Sequence, residues 1–161
     1  MKKRMLIAVA VLLAFITNVR GGELTTAMTP VFDNYEALRA ELAGDSTITL
    51  AENATRLKQA AVAAVAKADG ETKKDLESLA ASATKLLAAT DLNGAREAFG
   101  EVSRHLLAVV AAAPNLAEGR FVFACPMAKP YGKWVQSEKK LANPYMGGKM
   151  LACGMPSKWS E

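Results

Sequence analysis

Apolar residues recur at alternating three- and four-residue intervals through four successive segments, and this spacing constrains the fold more than any other feature. Val31, Tyr35, Leu38 and Leu42 form the first stripe. Leu50, Ala54, Leu57, Ala61, Ala64 and Ala68 form the second. Leu76, Leu79, Ala83, Leu86 and Thr90 form the third, and Leu92, Ala95, Phe99, Val102, Leu106, Val109 and Ala113 the fourth. Each stripe is one face of a helix, and the breaks between them are short. Gly44 ends the first segment, with Asp45 or Ser46 available to cap the next. Asp69-Gly70 breaks the second, and Thr72 with Asp75 resembles a capping box for the third. Asp91 can cap the fourth. Four such segments with short connections predict an all-α fold, an antiparallel four-helix bundle over residues 22–117. The alanines of the second and third stripes predict close helix approach.

The composition changes at Pro114. Five of the six prolines lie there or beyond, and six of the ten aromatic residues fall between Phe121 and Trp159. Phe121-Val122-Phe123-Ala124 has strand character. Residues 118–161 are too apolar for a disordered arm. They are expected to form an irregular Cys-, Met- and aromatic-rich C-terminal tail, with a short strand or hairpin, that packs on the bundle as part of the same domain.

The N-terminus reads as a signal peptide over residues 1–21. Lys2, Lys3 and Arg4 precede an apolar run of twelve residues, Met5 to Ile16, which is too short to span a bilayer. Export implies a periplasmic protein with no stable membrane span once the leader is cleaved. Losing Lys2, Lys3, Arg4 and Arg20 from the 20 basic residues leaves 16, against 16 acidic ones. A neutral mature chain lacks the electrostatic basis for nucleic-acid binding. The charge is uneven, however, with 7 basic and 3 acidic residues from Glu118 onward. This basic tail is suited to an acidic partner.

Both cysteines and four of the seven methionines also sit in the tail. Cys125-Pro126-Met127 and Cys153-Gly154-Met155 bracket a turn carrying Met146 and Met150. Thiolates and thioethers are soft, polarizable donors that suit copper(I) or silver(I). Cys125, Met127, Cys153 and Met155 form the expected ligand set, with Met146, Met150 and His105 in reserve. Pro126 and Gly154 favour the local turn that each triplet needs. Zinc fits less well, because its structural sites take four Cys or His ligands and this chain has two cysteines and one histidine. The competing reading is a Cys125–Cys153 disulfide closing the tail, which an oxidising compartment permits. The methionines would then be packing residues, and Tyr131, Trp134 and Tyr145 are expected to fold the tail rather than bind anything. No Cys-x-x-Cys, phosphate-binding glycine loop or nucleophile elbow is present, so an enzyme is not expected.

The tail, read with the helix before it, resembles the small periplasmic domain-of-unknown-function family associated with the adaptor subunits of copper/silver (heavy-metal) efflux pumps. The resemblance rests on Tyr35-Glu36-Ala37-Leu38, Arg96-Glu97-Ala98-Phe99 and Ser103 in the helices. In the tail it rests on Cys125-Pro126-Met127-Ala128, Gly132, Trp134, Gln136, Asn143-Pro144-Tyr145, Gly147, Met150-Leu151 and Cys153-Gly154. It implies a helical-bundle domain whose cysteine motifs hold metal, and an efflux adaptor subunit as partner. Met146, where the family usually has an aromatic residue, and Met155 after Cys-Gly are departures that add sulfur. The chain is too short to contain an adaptor's own domains. The expected function is therefore a free-standing soft-metal binding protein that buffers or delivers copper(I) or silver(I). The alternative is a disulfide-stapled interaction module of an efflux assembly that binds no metal.

Overall fold

The computed structural model describes residues 2–159, with side chains from residue 22 onward. The side chains of the signal segment read at residues 1–21 lie outside the described residues. Four helices follow one another: α1 (Lys2–Ala43), α2 (Leu50–Val65), α3 (Gly70–Leu87) and α4 (Leu92–Ala112). Consecutive helices pack against each other as the periodicity requires, and the residues of the four stripes supply most of the buried helix positions. Ala54, Ala61, Ala64 and Ala83 are fully buried, interleaved with Leu57, Leu76, Leu79 and Leu86 on the buried faces of α2 and α3. Pro30 lies on an exposed face within α1, and the buried stripe runs back through it to Met28 and Leu24.

Two expected caps are corrected. Neither Asp45 nor Ser46 caps α2, which starts at Leu50 behind Thr49. The cap comes instead from Glu41 of α1, whose carboxylate accepts the Thr49 N–H at 2.6 Å and its hydroxyl at 2.8 Å. Thr72 and Asp75 form no capping box, because α3 begins earlier, at Gly70, with Asp69 as its flanking residue. Thr72 thus lies inside the first turn. Asp91 does cap α4, accepting the Gly94 N–H at 2.8 Å.

α4 stops at Ala112, and Pro114–Ala117 makes a 3-10 turn that feeds the tail. Three short strands follow, β1 (Phe121–Ala124), β2 (Lys133–Gln136) and β3 (Met155–Pro156), in the antiparallel order β2-β1-β3. β2 packs on α4 and α1 and bridges the first and last helices. At that seam Tyr35 stacks on Phe99 with ring centroids 4.9 Å apart. The Tyr35 hydroxyl lies 2.7 Å from Ser103 Oγ and accepts the Val135 N–H at 3.2 Å. Burial pushes the Tyr35 phenol far above its ordinary pKa, so it stays neutral.

Polar side chains then fix the irregular segment between the strands. Gln136 is buried, with its Oε1 accepting the Trp134 Nε1–H at 2.9 Å and its amide donating to the carbonyls of Glu138 and Lys140. Arg39 donates to the Ala142 carbonyl at 2.9 Å. Arg96 donates to the carbonyls of Pro144 and Leu42, each at 2.9 Å, and pairs with Asp45. Asp45 also accepts the Gly148 N–H, so a residue read as a helix cap is instead a bridge to the tail. The Arg96 hydrogen bond, with the Gly148 N–H, holds its carboxyl below the usual carboxylate range. Gly147 sits against this pair at φ +54°, where a Cβ would collide with both Asp45 and Arg96.

Candidate functional site

The strand register builds the site. Ala124 pairs with Met155, so the end of β1 lies beside the start of β3. Continuing that antiparallel ladder by one step sets Cys125 opposite Gly154 and next to Cys153. The Cys125 and Cys153 sulfurs lie 2.7 Å apart as free cysteines, 28 residues distant in sequence. Gly154 is required there: its φ is +151°, and a Cβ would come within 2.8 Å of the Trp134 ring.

Asn143 locks Cys153 in place from below. Its side chain is fully buried and donates to the Cys153 carbonyl at 2.7 Å, while its Oδ1 accepts the N–H groups of Tyr145 and Met146. The Asn143 N–H in turn donates to the Leu151 carbonyl, closing the loop between them. Burial pushes the Cys125 thiol up. Hydrogen bonds from Cys153, from the N–H groups of Met127 and Ala128 and from the Asn143 side chain more than offset this, so its pKa falls below the ordinary thiol value. The hydrogen bond to Cys125 and partial desolvation move the Cys153 thiol the other way.

Beside the sulfurs opens a cleft of about 420 Å³ formed by the 124–133 loop and Met155, with Cys125, Pro126, Pro130 and Tyr131 in its wall. Of the residues singled out in the sequence, the structure brings Cys125, Cys153 and Met155 to this corner. Met127 follows in the turn and does not line the cleft, and Met127, Met150 and Met155 are all exposed. Met146 packs half-buried against the core, which makes it a packing residue. His105 is half-buried under the tail but lines a different cleft, with Asp75, Arg104 and Trp159.

Tyr131, Trp134 and Tyr145 do fold the tail. Trp134 is fully buried against Phe123 and Tyr145, the Tyr145 hydroxyl donates to the Lys133 carbonyl at 2.6 Å, and Arg104 lies over the Tyr131 ring. Asn143 was legible only as part of a motif. Its role as the polar hub beneath the cysteines has no signature in spacing or composition.

The donor chemistry fits a soft monovalent ion: two thiols in contact and a thioether on the rim of the same cleft. Cys125 and Cys153 are the residues that would hold such an ion, as two thiolate donors. Among the described residues no group of three or more His, Cys, Asp or Glu is placed to hold a metal. Among the same residues no helix is long and apolar enough to cross a membrane.

Comparison with known protein families, with curated proteins and with solved structures finds no match to this chain.

Proposed function

We propose that the Cys125–Cys153 pair is a soft-metal site, and that the protein is a periplasmic carrier that buffers copper(I) or silver(I) or delivers it to an efflux system. The observation that carries this reading is the meeting of the chain's two cysteines, with the Met155 thioether bordering the same cleft. Cys125, the buried member of the pair, lines the cleft and supplies one thiolate. Cys153 completes a two-sulfur clamp once it loses its proton, and Met155, in the wall of the cleft that Cys125 lines, is the candidate for a third donor. Lys129 and Lys133 line the cleft, and a basic rim suits an acidic recipient such as an efflux adaptor subunit. The resemblance to the efflux-associated family points to the same theme.

Anaerobic titration of the reduced protein with copper(I) against a competing chelator tests the reading. Expected is a saturable site that disappears in Cys125→Ser/Cys153→Ser and weakens in Met155→Leu. Equal binding by the parent and the double variant refutes it. The sulfur contact itself favours a second reading, a disulfide that closes the 28-residue loop and makes the tail a rigid interaction module. Protein recovered from its own compartment with no alkylatable thiol, and with no copper(I) uptake after reduction, selects that reading.

A further inference from the structure

The two sulfurs differ in access, and the difference matters whether or not they ever hold metal. Cys125 follows the central strand β1 and is 3% exposed. Cys153 is only half-buried, in the loop that leads to the two-residue edge strand β3. A reactant arriving from solvent reaches Cys153 first. The Cys125 sulfur lies on the inner side, 2.7 Å from that of Cys153.

We propose that Cys125 and Cys153 form a thiol–disulfide exchange couple in which an incoming thiolate attacks Cys153 Sγ and Cys125 Sγ is the sulfur displaced. In the closed form, the thiolate of a second molecule forms a bond to Cys153 Sγ as the Cys125–Cys153 bond breaks. The electron pair of that bond stays on Cys125 Sγ, which leaves as the thiolate. A further thiol then attacks the mixed disulfide, releasing the two joined thiols as a disulfide and leaving Cys153 as a thiolate that takes up a proton. Two thiols are thus oxidised and the pair is reduced.

The reverse direction starts from the dithiol and a disulfide. Cys153 attacks the disulfide and expels one thiolate, and Cys125 then attacks Cys153 Sγ and expels the other. The cleft beside Cys125, walled by Pro126, Ala128, Pro130, Tyr131 and Met155, gives the incoming molecule an apolar resting surface.

The test uses the full chain, metal-free under chelator, with glutathione disulfide and reduced glutathione as probes, so it is unaffected by failure of the copper reading. Reduced Cys125→Ser is expected to form a mixed disulfide at Cys153 at least tenfold faster than Cys153→Ser forms one at Cys125. The Cys125→Ser adduct is expected to persist, whereas the parent's closes with release of glutathione. Should either variant fail to fold, peptide mapping of the parent oxidised form, quenched by alkylation during attack by reduced glutathione, gives an independent answer. Glutathione on Cys153 with alkyl on Cys125 supports the assignment. The opposite pattern, equal labelling of both, or parent adducts as long-lived as those of Cys125→Ser overturns it.

Discussion

The bundle and the tail are held together by different means. In α1–α4 the contacts are apolar and repetitive, made by leucines and alanines whose role is set by their place in a period. In residues 118–159 each segment is fixed by a particular polar side chain: Gln136 for the 138–142 loop, Asn143 for the approach to Cys153, and Arg96 and Arg39 for the docking onto the helices. A periodic core tolerates exchange of one apolar residue for another of similar size. A set of buried hydrogen bonds does not, because removing one partner leaves the other unsatisfied. The cysteine pair sits in the region built by the second method, so its geometry depends on few residues and on their exact identity.

The sharpest way to break this contrast is Trp134→Ala, which removes the fully buried ring that joins β2 to Phe123 and Tyr145. The expected cost is about 3–5 kcal/mol, read as a fall in the urea midpoint. A change below about 1 kcal/mol would mean that the tail does not share the bundle's core. Next in size is Asn143→Ala, at about 3 kcal/mol, because the Cys153 carbonyl and the Tyr145 and Met146 N–H groups lose their buried partner. The same variant is expected to alkylate faster at Cys153. Unchanged alkylation would separate Asn143 from the site.

Asp45→Asn is the mildest probe, and its effect depends on pH. The Asp45 carboxyl is held below its unfolded value by Arg96 and the Gly148 N–H. Its contribution is therefore present above the ordinary carboxylate pKa of about 4 and is lost as pH falls through the lowered folded value. The stability gap between parent and variant is expected to close as pH falls below the ordinary carboxylate range. A gap that stays constant over that range would show that the carboxylate contributes nothing.

The same contrast explains what could be read in advance. The four helices follow from stripes such as Leu92, Ala95, Phe99, Val102 and Leu106, because burial on one helix face imposes a period on the chain. The β1 strand was legible in Phe121–Ala124 for a related reason. The caps of α2 and α3 were misread because capping is settled in three dimensions. Glu41 reaches across from α1 to Thr49, which leaves Asp45 free for Arg96. The cysteines were legible as a pair but not as an unequal one. Their difference in burial comes from the β1–β3 register and from Asn143, neither of which leaves a periodic trace. His105 and Met146 were drawn into the candidate set by element type alone, and the fold puts one in another cleft and the other against the core.

The dependence of the tail on the bundle has a consequence for how the molecule is made. Arg96 can clasp the Leu42 and Pro144 carbonyls only after α4 has come to lie beside the end of α1, and β2 needs Tyr35 and Ser103 already side by side. A ribosome delivers the helices before Cys153. On a nascent chain the first cysteine therefore waits without its partner while the platform assembles, and the sulfurs meet only when the helices have closed. A copy whose bundle is incomplete therefore lacks the platform on which the two sulfurs are brought together.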